Sequence, residues 1–355
     1  MGTDRAQKVA VLGAGTWGIA LARLLCLSGK QVTVWSALPQ ELETLAHTGV
    51  HPKLPGVELP PQLHYTGSLS EACAGQDMLV FAVPSVFVRQ TARAARPFVP
   101  HGMIVVDAAK GIENDTLMTM TEVIADELQD PTVRLVALSG PTHAEEVARD
   151  MFTTIVAACR DHATAEYVQR TFTTRALRVY TSVDIRGIEV CGALKNVIAL
   201  AVGISHGLGY GDNARAALIT RGLAELTRLG EKLHCHPQTF SGLTGMGDLI
   251  VTCTSRHSRN NRCGELIGLG RTPRQAVEEV GMVVEGLYAL PAAVRLAELW
   301  QVDMPIVQSV HAIIDDGVPP QQAVELLLSR ALRSELPTTD APAEPPAMNK
   351  GCPMI

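Results

Sequence analysis

The sequence predicts an α/β protein, with a Rossmann-type doubly wound N-terminal domain followed by an all-α C-terminal domain. A short apolar strand pattern at residues 8–12 leads directly into Gly13-Ala14-Gly15-Thr16-Trp17-Gly18, and a helical pattern follows at residues 19–28. Further strand-like runs then alternate with helix-length segments, as in doubly wound sheets. After Asp184 these runs give way to long stretches rich in Ala, Leu and Gly, which are typical of helices.

We therefore expect three regions: a dinucleotide-binding domain at residues 1–184, a helical substrate domain at 185–335 and a Pro-rich, disordered tail at 336–355. A chain of 355 residues, 46% of them hydrophobic, is long enough to bury two cores. The net charge of −6 offers no basic field for nucleic acid. An apolar run begins by Val9, which leaves no room for a secretory leader, and we expect a cytoplasmic protein without a membrane span.

The eight cysteines are widely spaced and indicate free thiols in a reducing compartment. His234-Cys235-His236 matches no structural zinc spacing, so we expect no metal.

The glycine motif is the dinucleotide fingerprint in its required context, between a strand and a helix. Gly13 permits the tight turn, Gly15 lets the backbone approach a pyrophosphate, and Gly18 lets the helix pack on the strand. The sequence therefore predicts NAD or NADP as cofactor.

The second strand, at residues 31–35, continues into Ser36, Ala37 and Leu38. This segment has no acid to bind a ribose 2′-hydroxyl and no arginine to bind a 2′-phosphate. The choice between NAD and NADP stays open, with NAD favoured because no nearby cation would hold the extra phosphate.

Four more strands are predicted at residues 78–83, 103–107, 134–138 and 154–158. Ligands of doubly wound sheets bind beyond the carboxyl ends of the strands, so the loops at 108–111 and 139–142 should face the crevice. Lys110 lies in the first loop, where the plain alternative is a surface lysine. Thr142 and Glu145 form a capping-box pattern, which predicts a helix start in the second loop.

Lys195 and Asn196 are the only charged or amide side chains from Val190 to Ile204, an apolar helical stretch, and Lys195 lies on a stripe of mostly small residues. Burying an ammonium is costly unless it meets an anion or its proton affinity falls, and both suit a catalytic lysine. The alternative is a lysine whose stem crosses apolar surface while its tip reaches water.

The helical domain also carries two polar loops. Three glycines surround Asp248 in the segment 242–248, and Ser258 is a plausible N-cap directly before Arg259. An arginine beside a helix N-terminus favours phosphate binding, although an exposed capping turn would read the same way. Thr272-Pro273 predicts another helix start.

Taken together, these motifs resemble the NAD(P)-dependent glycerol-3-phosphate dehydrogenase family, from the N-terminus to about Glu335. The signatures that carry the resemblance are Gly-Ala-Gly-Thr-Trp-Gly at 13–18, Leu-Pro-Gly at 54–56, Lys-Gly-Ile-Glu at 110–113, Ser-Gly-Pro-Thr-His-Ala at 139–144, Ala-Leu-Lys-Asn-Val at 193–197, Gly-Asp-Asn-Ala-Arg-Ala-Ala-Leu-Ile at 211–219, Gly-Leu-Thr-Gly-Met-Gly-Asp-Leu at 242–249, Ser-Arg-Asn at 258–260 and Val-Val-Glu-Gly at 283–286. The family often has arginine or histidine just after the second strand, where this chain has Ser36, Ala37 and Leu38.

The resemblance implies a homodimer that interconverts glycerol 3-phosphate and dihydroxyacetone phosphate, a phosphorylated triol and triose, for glycerolipid synthesis. It implies that Lys195 transfers the proton, with Lys110 and Asp248 beside it. The implied substrate residues are Lys110, Gly140, Thr142, Lys195, Asp248, Ser258, Arg259 and Asn260. The implied cofactor residues are Thr16, Trp17, Lys110, Ala144, Arg259, Val283 and Glu285, in addition to the three glycines.

Two alternatives remain at this stage. A β-hydroxyacid or sugar-acid dehydrogenase would share the architecture and a helical-domain lysine, but it would not need the polar residues from Asp248 to Asn260. A nucleotide-sensing module could keep the fold without chemistry, but it would not need Lys195.

Overall fold

The computed structural model describes residues 6–332 and 334–335, so the tail expected at 336–355 lies outside the described residues. The N-terminal part forms one sheet with the strand order β3-β2-β1-β4-β5-β6-β7-β8. The strands are β1 (Lys8–Leu12), β2 (Gln31–Trp35), β3 (His64–Thr66), β4 (Met78–Phe81), β5 (Ile104–Asp107), β6 (Arg134–Ser139), β7 (Thr153–Ala158) and β8 (Leu177–Ser182). All neighbouring pairs are parallel except β6 and β7. This arrangement confirms the predicted Rossmann-type class.

Helices cover both faces of the sheet, and the apolar strands are therefore buried on both sides. These helices are α1 (Thr16–Leu27), α2 (Pro39–Thr48), α3 (Leu69–Cys73), α4 (Val88–Ala95), α5 (Met120–Leu128), α6 (Ala144–Val147) and α7 (His162–Phe172). Helix α1 begins three residues earlier than the periodicity predicted and ends before Gly29, whose φ of +85° breaks it.

Two strands were not predicted. β3 has only three residues, two of them polar, and is too short for a periodic pattern. β8 is the edge strand beyond β7, and its alternating buried and exposed residues include Arg178 and Tyr180 on the exposed face. The antiparallel pair β6–β7 follows from the connection between them, since the single-turn α6 is too short for a parallel crossover.

The C-terminal part is all helical. Its helices are α8 (Ile185–Gly207), α9 (Asp212–Lys232), α10 (Pro237–Ser241), α11 (Asp248–Thr254), α12 (Arg259–Gly268), α13 (Pro273–Val280), α14 (Glu285–Leu299), α15 (Pro305–Ile314) and α16 (Pro320–Leu328). Helix α8 is long and apolar enough to cross a membrane, but its apolar window is entirely buried against the surrounding protein. It serves as the core of this domain, and Lys195 lies near its middle.

Helices α8 and α12 approach each other closely. A Cβ atom on Gly203 of α8 would lie 2.0 Å from the backbone oxygen of Asn261, and one on Gly264 of α12 would lie 2.2 Å from that of Leu200. Glycine is therefore required on both helices, and the contact fixes the N-terminus of α12 beside the middle of α8.

The helix starts predicted from sequence had mixed outcomes. Ser258 caps α12 by accepting a hydrogen bond from the Asn261 N–H at 3.2 Å, and Thr272 caps α13 in a full capping box. The capping box predicted at Thr142 was wrong. His143 occupies the N-cap of α6, and the Thr142 hydroxyl instead donates to the Gly140 carbonyl at 3.1 Å.

Candidate functional site

The glycine loop after β1 has the geometry that a dinucleotide requires. Gly13 adopts a φ of +127°, and a Cβ there would lie 2.7 Å from the Ala82 carbonyl. A Cβ on Gly18 would lie 2.0 Å from the backbone oxygen of Gly13, whereas one on Gly15 would meet no atom within 4 Å. Gly15 therefore leaves its side of the loop open. No side chain caps the N-terminus of α1, so its first N–H groups are free to bind a pyrophosphate.

A crevice of about 490 Å³ runs from this loop to the helical domain. Twelve of the residues singled out from the sequence line it: Gly15, Thr16, Trp17, Lys110, Thr142, Ala144, Lys195, Ser258, Arg259, Asn260, Val283 and Glu285. The other four, Gly13, Gly18, Gly140 and Asp248, lie behind the lining rather than in it. The two parts of the chain thus contribute opposite walls of a single crevice.

Lys195 is 4% exposed, so its ammonium does not reach bulk water as a surface-crossing lysine would. Its Nζ lies 2.8 Å from Asp248 Oδ1 and donates to Thr252 Oγ1 at 2.5 Å. The ammonium is therefore buried but paired, and it faces the crevice.

Asp248 holds two lysines at once. Its Oδ1 pairs with Lys195, and its Oδ2 accepts from Lys110 Nζ at 2.7 Å. Lys110 also donates to the Gly140 carbonyl at 3.0 Å, which connects the two strand-end loops. The carboxylate is 1% exposed and follows a single π-helical turn at Leu243–Gly247. π-Helical turns often occur at functional sites, and this one brings Asp248 beneath both ammonium groups.

Burial lowers the pKa of Lys195 from its ordinary value of 10.5 to about 8. The carboxylate of Asp248 opposes this shift, while the charge of Lys110 adds to it. A group with a pKa near 8 can both donate and accept a proton under physiological conditions, which is what reversible acid-base chemistry requires.

The crevice also carries an exposed cation. Arg259 is the first residue of α12 and is exposed, with no hydrogen bond or ion pair to any residue that the structure describes. Ser258 caps the same helix, so oriented N–H groups and a guanidinium occur together. This combination suits a small phosphate.

Asn196 and Thr252 also line the crevice, and the sequence analysis did not select either as a site residue. Asn196 Oδ1 accepts from Asn260 Nδ2 at 2.9 Å, and Asn260 in turn accepts from the Gly286 N–H at 2.8 Å. Thr252 lies one helical turn after Asp248 and accepts the hydrogen bond from Lys195. The position of Asn196 beside Lys195, and the four-residue spacing of Thr252 from Asp248, were signals available in the sequence.

His143 and Lys53 are two further crevice residues that the sequence analysis did not select. Burial and the charge of Lys195 lower the pKa of His143, which favours its neutral form. Its Nε2 is buried without a hydrogen-bond partner in the described structure. Lys53 Nζ donates to the Gly281 carbonyl at 3.4 Å, from the opposite wall. His143 lies within the Ser-Gly-Pro-Thr-His-Ala signature and Lys53 directly precedes Leu-Pro-Gly, so the neighbouring residues offered a signal for both.

Glu285 connects the two walls near the glycine loop. Its Oε2 accepts from Ser85 Oγ at 2.6 Å, which joins the start of α14 to the segment after β4. Burial raises the pKa of Glu285. The hydrogen bond therefore holds Glu285 and Ser85 in fixed positions on the cofactor side of the crevice.

The fold and the site together define a two-domain, dinucleotide-dependent dehydrogenase whose paired lysine lies in a helical domain. Two family models match the chain, the NAD-dependent glycerol-3-phosphate dehydrogenase N-terminus at residues 8–165 and its C-terminus at residues 184–325. The chain belongs to the NAD(P)-dependent glycerol-3-phosphate dehydrogenase family.

Individual relatives agree with this assignment. A glycerol-3-phosphate dehydrogenase [NAD(P)+] of Lactobacillus delbrueckii subsp. bulgaricus is 56% identical over 333 residues, which cover 93% of this chain and 99% of that protein. A protein of the same description from Agathobacter rectalis is 48% identical, with 93% and 98% covered. The crystal structure of the glycerol-3-phosphate dehydrogenase from Coxiella burnetii is 35% identical, covers 92% of this chain and 100% of that one, and superposes with a TM-score of 0.88.

Proposed function

We propose that the protein is a glycerol-3-phosphate dehydrogenase that interconverts glycerol 3-phosphate and dihydroxyacetone phosphate with NAD or NADP. The buried pairing of Lys195 with Asp248, in a crevice that is also lined by the dinucleotide loop and Arg259, carries this proposal. It supplies the three things the reaction needs: a cofactor site, a proton-transfer group and a phosphate site.

A nicotinamide cofactor bound at the glycine loop would supply the hydride chemistry for the interconversion at C2 of the substrate. Lys195 takes the proton from the C2 hydroxyl during oxidation and donates it to the carbonyl oxygen during reduction. Its lowered pKa of about 8 makes both protonation states accessible. Such positioned proton transfer contributes a factor of roughly 10²–10⁴ in rate.

Asp248 orients Lys195 and Lys110 rather than exchanging the proton, because each of its oxygens already pairs with an ammonium. Lys110 then lies beside the substrate, together with Gly140 and Thr142, whose oxygens it contacts.

Arg259 binds the substrate phosphate, assisted by the capped N-terminus of α12 at Ser258 and by Asn260. Charged hydrogen bonds of this kind are worth about 1.5–3 kcal/mol each. On the cofactor side, the glycines and Thr16, Trp17, Lys110, Ala144, Arg259, Val283 and Glu285 form the nucleotide wall.

We further propose that the enzyme works in the cytoplasm as a homodimer and supplies glycerol 3-phosphate for glycerolipid synthesis. Its relatives are named for this reaction, and synthesis of glycerolipids is the general role of the enzyme. Light scattering after size exclusion tests the assembly, since a mass near 38 kDa, that of one 37.9 kDa chain, would contradict the dimer.

The direct test follows nicotinamide absorbance with dihydroxyacetone phosphate and either NADH or NADPH. Oxidation of either cofactor is expected, with little turnover of unphosphorylated dihydroxyacetone. Activity on a β-hydroxyacid or a sugar acid instead would favour the related dehydrogenases. Nucleotide binding without turnover of any of these substrates would favour a sensor.

Two variants separate the proposed roles. Lys195→Met should lower kcat by at least the roughly 10²-fold lower limit of acid-base catalysis while leaving nucleotide affinity unchanged. Arg259→Ala should instead raise KM for dihydroxyacetone phosphate by about tenfold or more, since it removes charged hydrogen bonds to the phosphate. Near-normal turnover in the first variant, or an unchanged KM in the second, would contradict the corresponding role.

A further inference from the structure

The tip of β2 carries an acid that the local sequence does not reveal. Ser36 follows the strand directly and is buried, and its hydroxyl donates to Glu41 Oε2 at 2.6 Å. The Leu38 N–H donates to the same hydroxyl at 3.2 Å, so the turn into α2 holds Ser36 in this orientation. The carboxylate of Glu41, five residues further along the chain, is thereby brought back to the end of the strand.

This end of β2 lies against the dinucleotide loop. β1 and β2 are parallel neighbours with Leu12 opposite Trp35, and the Gly13 N–H donates to the Trp35 carbonyl at 2.8 Å. His51 lies near the loop, since the backbone of Ala14 acts on the pKa of its imidazole. Burial lowers the pKa of His51, the charge of Glu41 acts against that shift and the charge of Lys53 adds to it, so an anion and a cation both lie near this imidazole.

The acid at this position has no basic neighbour within its own segment. From Ser36 to Val50 the chain contains no lysine or arginine. Lys53, the next cation along the chain, donates to the Gly281 carbonyl on the opposite wall. Glu41 Oε1 has no hydrogen-bond partner among the residues the structure describes, so one carboxylate oxygen is available to a ligand.

In doubly wound nucleotide-binding domains the adenosine ribose lies at the end of the second strand. An acid there accepts a hydrogen bond from the ribose 2′-hydroxyl, whereas a 2′-phosphate requires a cation. Like charges brought together at an interface cost binding free energy, so a carboxylate at this point disfavours the phosphate.

We propose that Glu41, positioned by Ser36, binds the ribose 2′-hydroxyl of NAD(H) and makes this enzyme selective against NADP(H). The inference rests on the proposed function only in requiring that the crevice bind a nicotinamide dinucleotide. Glu41 is thus the specificity-determining residue, and Ser36 acts through it.

The test measures dissociation constants for NADH and NADPH by calorimetry on the full-length protein, without substrate. Wild type is expected to bind NADH more tightly. Glu41→Ala should narrow the NADH-to-NADPH affinity ratio by about tenfold, because it removes both the hydrogen bond and the repulsion. Glu41→Gln keeps an acceptor but loses the charge, so it should improve NADPH binding more than it weakens NADH binding.

Glu43→Gln is the matched control, because it removes one negative charge from the exposed side of the same helix. It should leave the affinity ratio unchanged. Ser36→Ala should narrow the ratio in the same direction as Glu41→Ala but by less, since it frees the carboxylate without removing it. Equal melting temperatures of the variants and wild type would exclude misfolding as the cause of a changed affinity ratio.

Two results would overturn the inference while leaving the proposed function intact. One is an unchanged ratio in both Glu41 variants, and the other is an equal change in Glu41→Gln and Glu43→Gln. If the folded wild type binds neither nucleotide, the proposed function fails and the inference fails with it.

Discussion

Lys195 shows how burial and pairing together set the chemistry of one side chain. An unpaired ammonium in this helix would be prohibitively costly, but Asp248 and Thr252 both satisfy it. Lys110 shares the same carboxylate, so two positive charges lie close to one negative charge. Burial is the largest cause that favours the neutral form of Lys195, the second ammonium adds to it, and the pKa falls to about 8.

The pH dependence of the two directions should therefore be opposite. Reduction needs the ammonium form, so kcat/KM for dihydroxyacetone phosphate should fall as the pH rises through about 8. Oxidation needs the neutral amine, so kcat/KM for glycerol 3-phosphate should rise over the same range. Steady-state kinetics between pH 6 and pH 10 would measure both pH profiles, the fall in kcat/KM for reduction and its rise for oxidation.

Lys110→Gln tests the electrostatic origin of this behaviour. Removing the neighbouring positive charge should raise the pKa of Lys195. The pH profiles of kcat/KM in both directions should therefore move to higher pH, even though turnover is slower. A shift to lower pH, or none, would show that Lys110 does not tune Lys195.

At the scale of elements, the contact between α8 and α12 determines the distance between the proton-transfer and phosphate sites. Lys195 and Asn196 lie on α8, while Ser258, Arg259 and Asn260 lie at the start of α12. Gly203 and Gly264 let the two backbones touch, and the Asn196–Asn260 hydrogen bond forms beside this contact. A side chain at either glycine would separate the helices.

Gly203→Ala should therefore destabilise the protein by about 1–3 kcal/mol, since the added methyl meets a backbone oxygen that cannot move aside. KM for the phosphorylated substrate should rise as well, because α12 carries Arg259. Chemical denaturation and steady-state kinetics provide the two measurements. Gly67→Ala is the control, as its Cβ would make only ordinary contacts at 3.9 Å and should change neither value. Unchanged stability in Gly203→Ala would mean that the helices can separate freely.

At the scale of the whole molecule, a buried carboxyl joins the two domains. Glu189 on α8 accepts hydrogen bonds from the Thr119 and Thr121 hydroxyls, at 2.8 and 2.6 Å, and from the Thr121 N–H at 2.7 Å. Burial nevertheless raises the pKa of Glu189 to about 7 from an ordinary value of 4.5. The folded protein therefore retains a proton there that the unfolded chain has already lost.

The sign of the resulting pH dependence follows from linkage. The contribution of Glu189 to the free energy of unfolding is fully present below about pH 4.5 and is lost as the pH rises through about 7. Glu189→Gln mimics the protonated form, so the loss of melting temperature between pH 5 and pH 8 should be smaller in the variant than in wild type. Scanning calorimetry at several pH values would measure this. Glu298 is an exposed carboxylate on α14, so Glu298→Gln should leave the dependence of melting temperature on pH as it is in wild type. Identical slopes in Glu189→Gln and wild type would contradict the assignment.

The sequence was most informative where a local pattern has one physical explanation. The glycine loop, five of the strands near their observed bounds, and the caps at Ser258 and Thr272 each depend on neighbouring residues only. The cap at Thr142 failed because the helix begins one residue later, with His143 at its N-cap. β8 was missed although its alternation of Leu177 and Val179 with polar residues is typical of a half-buried strand.

By itself, the sequence determined the fold class, the family and twelve of the residues that line the crevice, through the local signatures of glycines, strand ends and a lysine in an apolar helix together with the family resemblance. Only the tertiary structure decided how these residues are paired. Asp248 meets Lys195 and Lys110 from far along the chain, and Glu41 returns to the tip of β2 through a side-chain contact. Such pairings depend on how helices pack and where chains turn back, and no spacing rule within one segment encodes them.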